Sequence, residues 1–384
     1  MVNHDADILY DVLVVGAGIG GASAAYFLSR AGLRVLVLEK EKLPRYKPCG
    51  GGVPRSAFLL FPFSLDPVVE REISAVRYSY RGQKEVSVPL PSRPVAMVMR
   101  DRLDYLVLKQ ARAEVAEGEK VVAVQEDERA VAVRTEKGRE WRARYLIAAD
   151  GANSVVARSV GLRRTKWLGA ALEAELPLDD TRMEEHAAEA FFLLGTVEQG
   201  YLWIFPKRDH LSVGVGAFRK SKQNLKAILG SEMGKRRLWL DSVPIYAHPL
   251  PVYQGREKLH SRRTLLVGDA AGLMDPLLGE GVRYAMCSAS IAAQAILSED
   301  LAAYSRRVHK EIGIHLGIGR LWATIFYRFP HACFEAGVRN PQLTRDFAHM
   351  FAGELSYGSM LLRFPLYVLG ALLHRLPLES AERH

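Results

Sequence analysis

Residues Asp11 to Lys40 constrain this chain more than any other stretch: DVLVVGAGIGGASAAYFLSRAGLRVLVLEK. Asp11–Val15 is a short apolar run of strand length, and Gly16-Ala17-Gly18-Ile19-Gly20-Gly21 follows at once. Ala22–Ala31 has helical composition, and Leu33–Leu38 is a second strand-like run closed by Glu39 and Lys40. That order is the βαβ unit that binds dinucleotides. Gly16 makes the tight turn, Gly18 lets the backbone approach a pyrophosphate, and Gly21 lets the helix pack against the strand, with Gly20 also counted at the cofactor. The helix N-terminus offers N–H groups and a positive dipole end to the anion. Glu39 falls about 20 residues after the glycines, where a carboxylate accepts from a ribose hydroxyl pair. Three glycines alone are weak evidence; the strand before, the helix after and the acid in place make it strong. The stretch leaves open whether the dinucleotide is NAD or FAD.

The 384 residues suffice for two domains, or for one domain with a large insertion. A net charge of +9 suggests an anionic partner: a phosphorylated substrate, an acidic lipid surface or nucleic acid. The basic residues are spread, as in Arg139/Arg142/Arg144, Arg163/Arg164/Lys166 and Lys235–Arg237, and no nucleic-acid module is visible. Nucleic acid is therefore discounted. The three cysteines, Cys49, Cys287 and Cys333, are too few for a disulfide framework or a four-cysteine cluster and point to a reducing compartment. The histidines show no metal-ligand spacing, so no metal is expected. The first strand begins within ten residues, leaving no room for a signal peptide, and no run of 18 apolar residues exists. A cytoplasmic monomer is expected.

Further along, Arg77–Tyr80 and Glu85–Pro89 read as paired strands, and Asp101–Ala116 as a helix. Lys120–Gln125, Ala130–Thr135 and Arg144–Ala148 are strands, the last running into Ala149-Asp150-Gly151. Residues 166 to about 255 alternate in a β-rich layer, Thr264–Val267 restores the βα pattern, and Val282–Leu297 is a small-residue helix. From Asp300 the chain reads as helical. The predicted class is α/β: a Rossmann-like domain (8–75, 95–165, 258–299), an inserted β-rich substrate domain (76–94, 166–257) and a helical C-terminal region (300–384).

Four signals, GAGIGG with Glu39, Arg100-x-x-x-Asp104, Ala149-Asp150-Gly151 and Gly268-Asp269-Ala270-Ala271, stand in the order found in glutathione-reductase-type flavoproteins of the aromatic-hydroxylase class. Within that class the chain resembles the geranylgeranyl reductase family. The resemblance rests on Lys47-Pro48-Cys49-Gly50-Gly51, on Tyr201-Leu202-Trp203-Ile204-Phe205-Pro206-Lys207, and on Pro276 with Gly279-Glu280-Gly281. It implies FAD, with Arg100 at its phosphates or adenine and Val122 at the adenine through its backbone. It also implies Asp150 and Asp269 at the cofactor, Asp269 on the ribityl hydroxyls. Pro276, Gly279 and Gly281 would shape the loop before Val282, whose helix aims its positive end at the flavin. Gly50 and Gly52 would let the Cys49 loop lie against a planar ring.

The implied reaction is reduction of an electron-rich isolated alkene, in which hydride transfer needs a proton donor in the same transition state. Cys49 is the leading candidate; an enclosed water and Tyr201 are the others. Tyr201, Trp203 and Phe205 share one face of a strand and form a candidate substrate-binding strip. Lys207 would reach a phosphate head group or solvent. Candidate substrates are prenyl chains of archaeal-type lipids, chlorophyll, quinones or the free diphosphate. The electron donor is NADPH or reduced ferredoxin. Leu321–Phe329 and Leu361–Leu369 mix apolar, aromatic and arginine residues, as in helices lying peripherally on the inner face of a membrane. Two other readings compete: a flavin-dependent monooxygenase or halogenase, which would consume oxygen, and a prenyl-binding escort without turnover.

Overall fold

The structure is a computed structural model and describes residues 10–90, 92, 94–162, 168–186 and 188–373. The tail expected over 1–9, the basic group Arg163/Arg164/Lys166 and the side chains of Val368 and Leu369 lie outside the described residues. Val12, Leu13 and Val14 are each fully buried, which places strand Tyr10–Val15 inside a sheet covered on both faces. The order is Glu114–Glu117, Val35–Glu39, Tyr10–Val15, Glu140–Ala148, Val131–Thr135, Val121–Glu126. The first four run parallel, and Thr264–Leu266 pairs parallel with the end of Glu140–Ala148. Glycine and alanine in helix Ile19–Arg30 let it pack closely on helix Val282–Leu297, whose Ala285, Ala289 and Ala292 are likewise buried.

A second sheet orders Tyr246–Leu250, Gly169–Pro177, His210–Ala217, Gly200–Pro206, Glu189–Leu194, Ala75–Tyr80 and Lys84–Pro89. Its period-two alternation feeds two separate cores. Leu202 and Ile204 join Val213, Val215 and Leu229 on one side. Tyr201, Trp203 and Phe205 join Trp322, Tyr327, Tyr357 and Met360 of the C-terminal helices on the other. Those helices are Ile314–Arg328, Pro330–Arg339, Pro341–Phe351 and Tyr357–Leu373. A small antiparallel sheet of Gly52–Pro54, Val95–Val98 and Val69–Ile73 holds the segment after Cys49.

The helix expected over 101–116 is shorter, running Arg100–Lys109. Glu114–Glu117, a helix-forming sequence by composition, is an edge strand paired with Val35–Glu39, and Tyr10 donates to Glu114 at 2.7 Å. The open edge of the parallel sheet overrides a weak helical preference. Among the described residues no helix is long and apolar enough to cross a membrane.

Candidate active site

One cleft runs between the two large sheets and is lined by the glycine loop, the Cys49 loop, the aromatic strip and the Asp269 turn. At one end Gly16 has φ +97°, and a Cβ on Gly21 would collide with the Gly16 carbonyl. Gly18 caps helix Ile19–Arg30 without a side-chain bond, so the helix presents its first N–H groups beside the cleft lined by Gly18 and Gly20. Glu39 is buried at the end of the next strand. Its carboxylate accepts from the Ala17 N–H at 2.7 Å and the Glu41 N–H at 3.1 Å, and Arg45 Nε stands 3.5 Å away. We expect Gly21→Ala to give protein without flavin, because the new methyl meets backbone that cannot swing aside; absorbance after desalting measures this, and full flavin content would contradict it.

At the other end, Thr264–Leu266 delivers Asp269 on a tight turn. Asp269 Oδ2 lies 3.2 Å from Lys47 Nζ and 3.8 Å from His248 Nε2. Burial opposes its charge, but Lys47, His248 and Arg100 outweigh burial and hold the carboxyl far below its usual range. Loop Asp275–Gly281 then leads into helix Val282–Leu297, whose N-cap Gly281 has no side chain to block the dipole end. Asp275 is the loop's hub: it accepts from the N–H groups of Leu277 and Leu278 at 2.8 Å each and from Tyr357 Oη at 2.8 and 2.9 Å. Tyr327 Oη donates to the Leu277 carbonyl at 2.7 Å, and Tyr201 Oη donates to the Leu278 carbonyl.

The strand register builds the middle of the cleft. Trp203 faces Gly214, which faces Glu173 on the next strand; Tyr201 faces Gly216, then Ala171. A Cβ at Gly214 would collide with the Trp203 ring. Large residues on one strand and small ones on its neighbour therefore hollow out the sheet surface. Cys49-Gly50-Gly51 crosses above it, and a Cβ on Gly50 would stand 2.9 Å from the Phe205 ring. Lys207 fixes this loop. It is fully buried and donates to the Gly50 carbonyl at 2.7 Å and the Val98 carbonyl at 2.9 Å, rather than reaching a head group or solvent.

Of the residues singled out in the sequence, Cys49, Gly50, Gly52, Arg100 and Asp269 line the cleft, as do Gly279, Gly281, Val282 and the strip Tyr201/Trp203/Phe205. Gly16, Gly21 and Glu39 do not line it. Lys40 is exposed beside Glu41, and the Val122 side chain is exposed on its strand. Pro276 sits in the loop but lines a recess on the loop's other side, with Tyr327. Asp150 caps a helix: it accepts from Ser154 Oγ and the N–H groups of Val155 and Val156, while its neighbours Ala149 and Gly151 line the cleft. Arg100 is committed to Asp104 through two bonds of 2.8 Å. Lys47, Glu173 and His248 also line the cleft. Among the described residues no cluster suits a metal ion.

Residues 9–299 match the family model described as an FAD binding domain. A menaquinone reductase of Mycobacterium tuberculosis is 34% identical over 76% of this chain and 78% of its own. A digeranylgeranylglycerophospholipid reductase of Methanocaldococcus jannaschii is 31% identical over 78% and 82%. Among solved structures, a geranylgeranyl bacteriochlorophyll reductase-like protein of Thermoplasma acidophilum superposes with TM-score 0.75 at 22% identity, covering 95% of this chain and 99% of that one. A flavin-dependent brominase gives 0.71 at 19% identity over 90% and 93%, so the fold is shared across different flavin chemistries. The chain belongs to the geranylgeranyl reductase family of flavoproteins with this FAD-binding domain, and is an FAD-dependent oxidoreductase. The cleft fits that cofactor: the glycines leave room where a Cβ would intrude, and open helix N-termini stand at both ends.

Proposed function

We propose that this flavoprotein reduces isolated carbon–carbon double bonds in a prenyl chain carried on a lipid, a quinone, a chlorophyll-type head or a diphosphate. The observation that carries this reading is a second, apolar recess lined by Phe192, Leu194, Phe326, Phe334, Val338 and Phe347. It shares Tyr201, Leu278 and Phe351 with the cleft, so the two adjoin at those side chains, and an apolar chain entering from the C-terminal helices would pass them to reach the Cys49 loop. The hydroxyls of Tyr201 and Tyr327 are turned into backbone carbonyls, which leaves their rings for the substrate.

FAD, when bound, supplies the hydride. The glycine loop and the start of helix Ile19–Arg30 would hold its pyrophosphate, and Asp269, kept ionised by Lys47 and His248, would accept from its ribityl hydroxyls. Asp150 and Val122 would support the cofactor from outside the cleft. The aromatic strip excludes water and offers ring faces to charge developing on the alkene. A wall group must give the second carbon its proton, and Cys49 and Glu173 both line the cleft. Reduced ferredoxin or NADPH would return electrons. Leu321, Leu362 and Leu366 are exposed on two helices that pack together, which supports a surface where a membrane-borne substrate enters.

Photoreduced protein mixed anaerobically with geranylgeranyl diphosphate, a digeranylgeranylglycerol phospholipid or a prenylated menaquinone tests this. We expect flavin reoxidation and a gain of two hydrogens per double bond by mass spectrometry. Flavin that stays reduced with every prenyl compound, or oxygen uptake coupled to substrate, would overturn it.

A further inference from the structure

Glu173 and Glu175 share one face of strand Gly169–Pro177, two residues apart. Glu173 is 1% exposed yet lines the cleft. Its Oε1 accepts from Ser212 Oγ at 2.6 Å, and its Oε2 has no hydrogen-bond partner among the described residues. Tyr46 Oη donates to Glu175 Oε1 at 3.5 Å. Glu175 Oε2 is 3.1 Å from His210 Nε2, a close approach outside hydrogen-bond geometry, and His210 Nδ1 is 2.7 Å from Asp209 Oδ1, whose side chain is 82% exposed. Burial, then the charges of Glu173 and Glu175, hold the Tyr46 phenol above its usual range, so beside Glu175 it stays a hydroxyl. Proton-carrying groups thus stand close to one another from the exposed Asp209 through His210 and Glu175 to Tyr46, and Glu173 lies two residues from Glu175 on the same strand face, in the cleft wall.

We propose that Glu173 stores the proton given to the double bond, and that Tyr46, Glu175 and His210 refill it from solvent. This rests on the double-bond reading above. In the step, the Glu173 O–H bond breaks and its proton joins one alkene carbon as hydride from the reduced flavin joins the other. The products are saturated chain, oxidised flavin and Glu173 carboxylate. The carboxylate then regains a proton by way of these groups, so the net proton comes from water. What recommends Glu173 as the store is its buried carboxyl in the cleft wall, with one oxygen left unpartnered among the described residues, and a second carboxyl, Glu175, beside it on the strand face and next to His210.

The groups acting on Glu173 set its working range. Burial and the Glu175 charge push its carboxyl up to about 7, against the Ser212 hydrogen bond, the buried Lys207 and the Cys49 amide. The acid form is therefore present below neutrality and is lost as pH rises through that value, so reoxidation should slow in the same window.

The test uses photoreduced holoenzyme and geranylgeranyl diphosphate. Glu173→Gln should slow flavin reoxidation about 100-fold, the scale of a lost general acid, whereas Cys49→Ala should cost less than about tenfold. Independently, infrared spectra of the oxidised holoenzyme without substrate should show a carboxylic-acid band that titrates near neutrality and vanishes in Glu173→Gln. Glu175→Gln removes the neighbouring negative charge, so it should move both that titration and the rate profile to lower pH. Unchanged reoxidation in Glu173→Gln, or no carboxyl titrating near neutrality in the wild type, would overturn this role while leaving the prenyl reading intact. A wild type whose flavin no prenyl compound reoxidises would sink the reading and this role together.

Discussion

Lys207→Met is expected to release most of the flavin and to lower stability by about 2–4 kcal/mol. The substitution leaves the buried Val98 carbonyl and the half-buried Gly50 carbonyl without this donor. Each orphaned acceptor costs about 1–3 kcal/mol, offset in part by removing a buried ammonium. The Gly51 carbonyl still accepts from the Val98 N–H at 2.9 Å, so the loop loosens rather than detaches. Lys207→Arg should not rescue, because Nζ already lies so close to Gly51 that a Cβ there would collide with it. Urea midpoints and flavin content after gel filtration measure both effects. Full flavin retention in Lys207→Met would show that the Cys49 loop needs no such clamp.

Arg100→Met is the second large effect, at about 3–5 kcal/mol, because it strands the Asp104 carboxylate in a buried site. Asp104→Leu strands the guanidinium instead. The double variant Arg100→Met/Asp104→Leu should recover much of the loss, with a coupling energy of about 2–3 kcal/mol in a double-mutant cycle. FAD affinity should not recover with it, because the charge of Arg100 acts on Asp269 across the cleft. Equilibrium unfolding reads the first quantity and FAD titration the second. Additive stabilities would show that the pair is not coupled, and wild-type affinity in the double variant would remove Arg100 from the cofactor site.

Features fixed by local pattern were legible in the sequence. Strand, glycine loop, helix and acid follow one another within thirty residues of Asp11, and the alternation from Tyr201 to Phe205 assigns its two faces correctly because strand geometry has period two. Val282–Leu297 was readable from its small residues. Features fixed by register were not. Glu173 looks like any charged residue on a half-exposed strand until Gly214 and Trp203 are brought beside it. His248 reads as a surface histidine until its strand pairs with Gly169–Pro177 and sets it near Asp269. Lys207 follows a proline at a strand end, a place where lysines are ordinarily solvated; only the meeting of the Cys49 loop with the end of strand Val95–Val98 makes it a buried donor. Residues 114–117 failed for the complementary reason, since an available sheet edge is a tertiary fact.

The loop Asp275–Gly281 is held by hydroxyls from three separate places: Tyr201 on the sheet, Tyr327 and Tyr357 on C-terminal helices. The family match ends at residue 299, before two of those three. A recombinant fragment cut at that boundary would keep every glycine of the nucleotide fingerprint and still lose two of the pins of the loop beneath Val282. Chimaeras that exchange C-terminal helices between relatives must therefore transplant matched tyrosine–carbonyl pairs, or the graft will alter the flavin pocket when only the chain tunnel was meant to change.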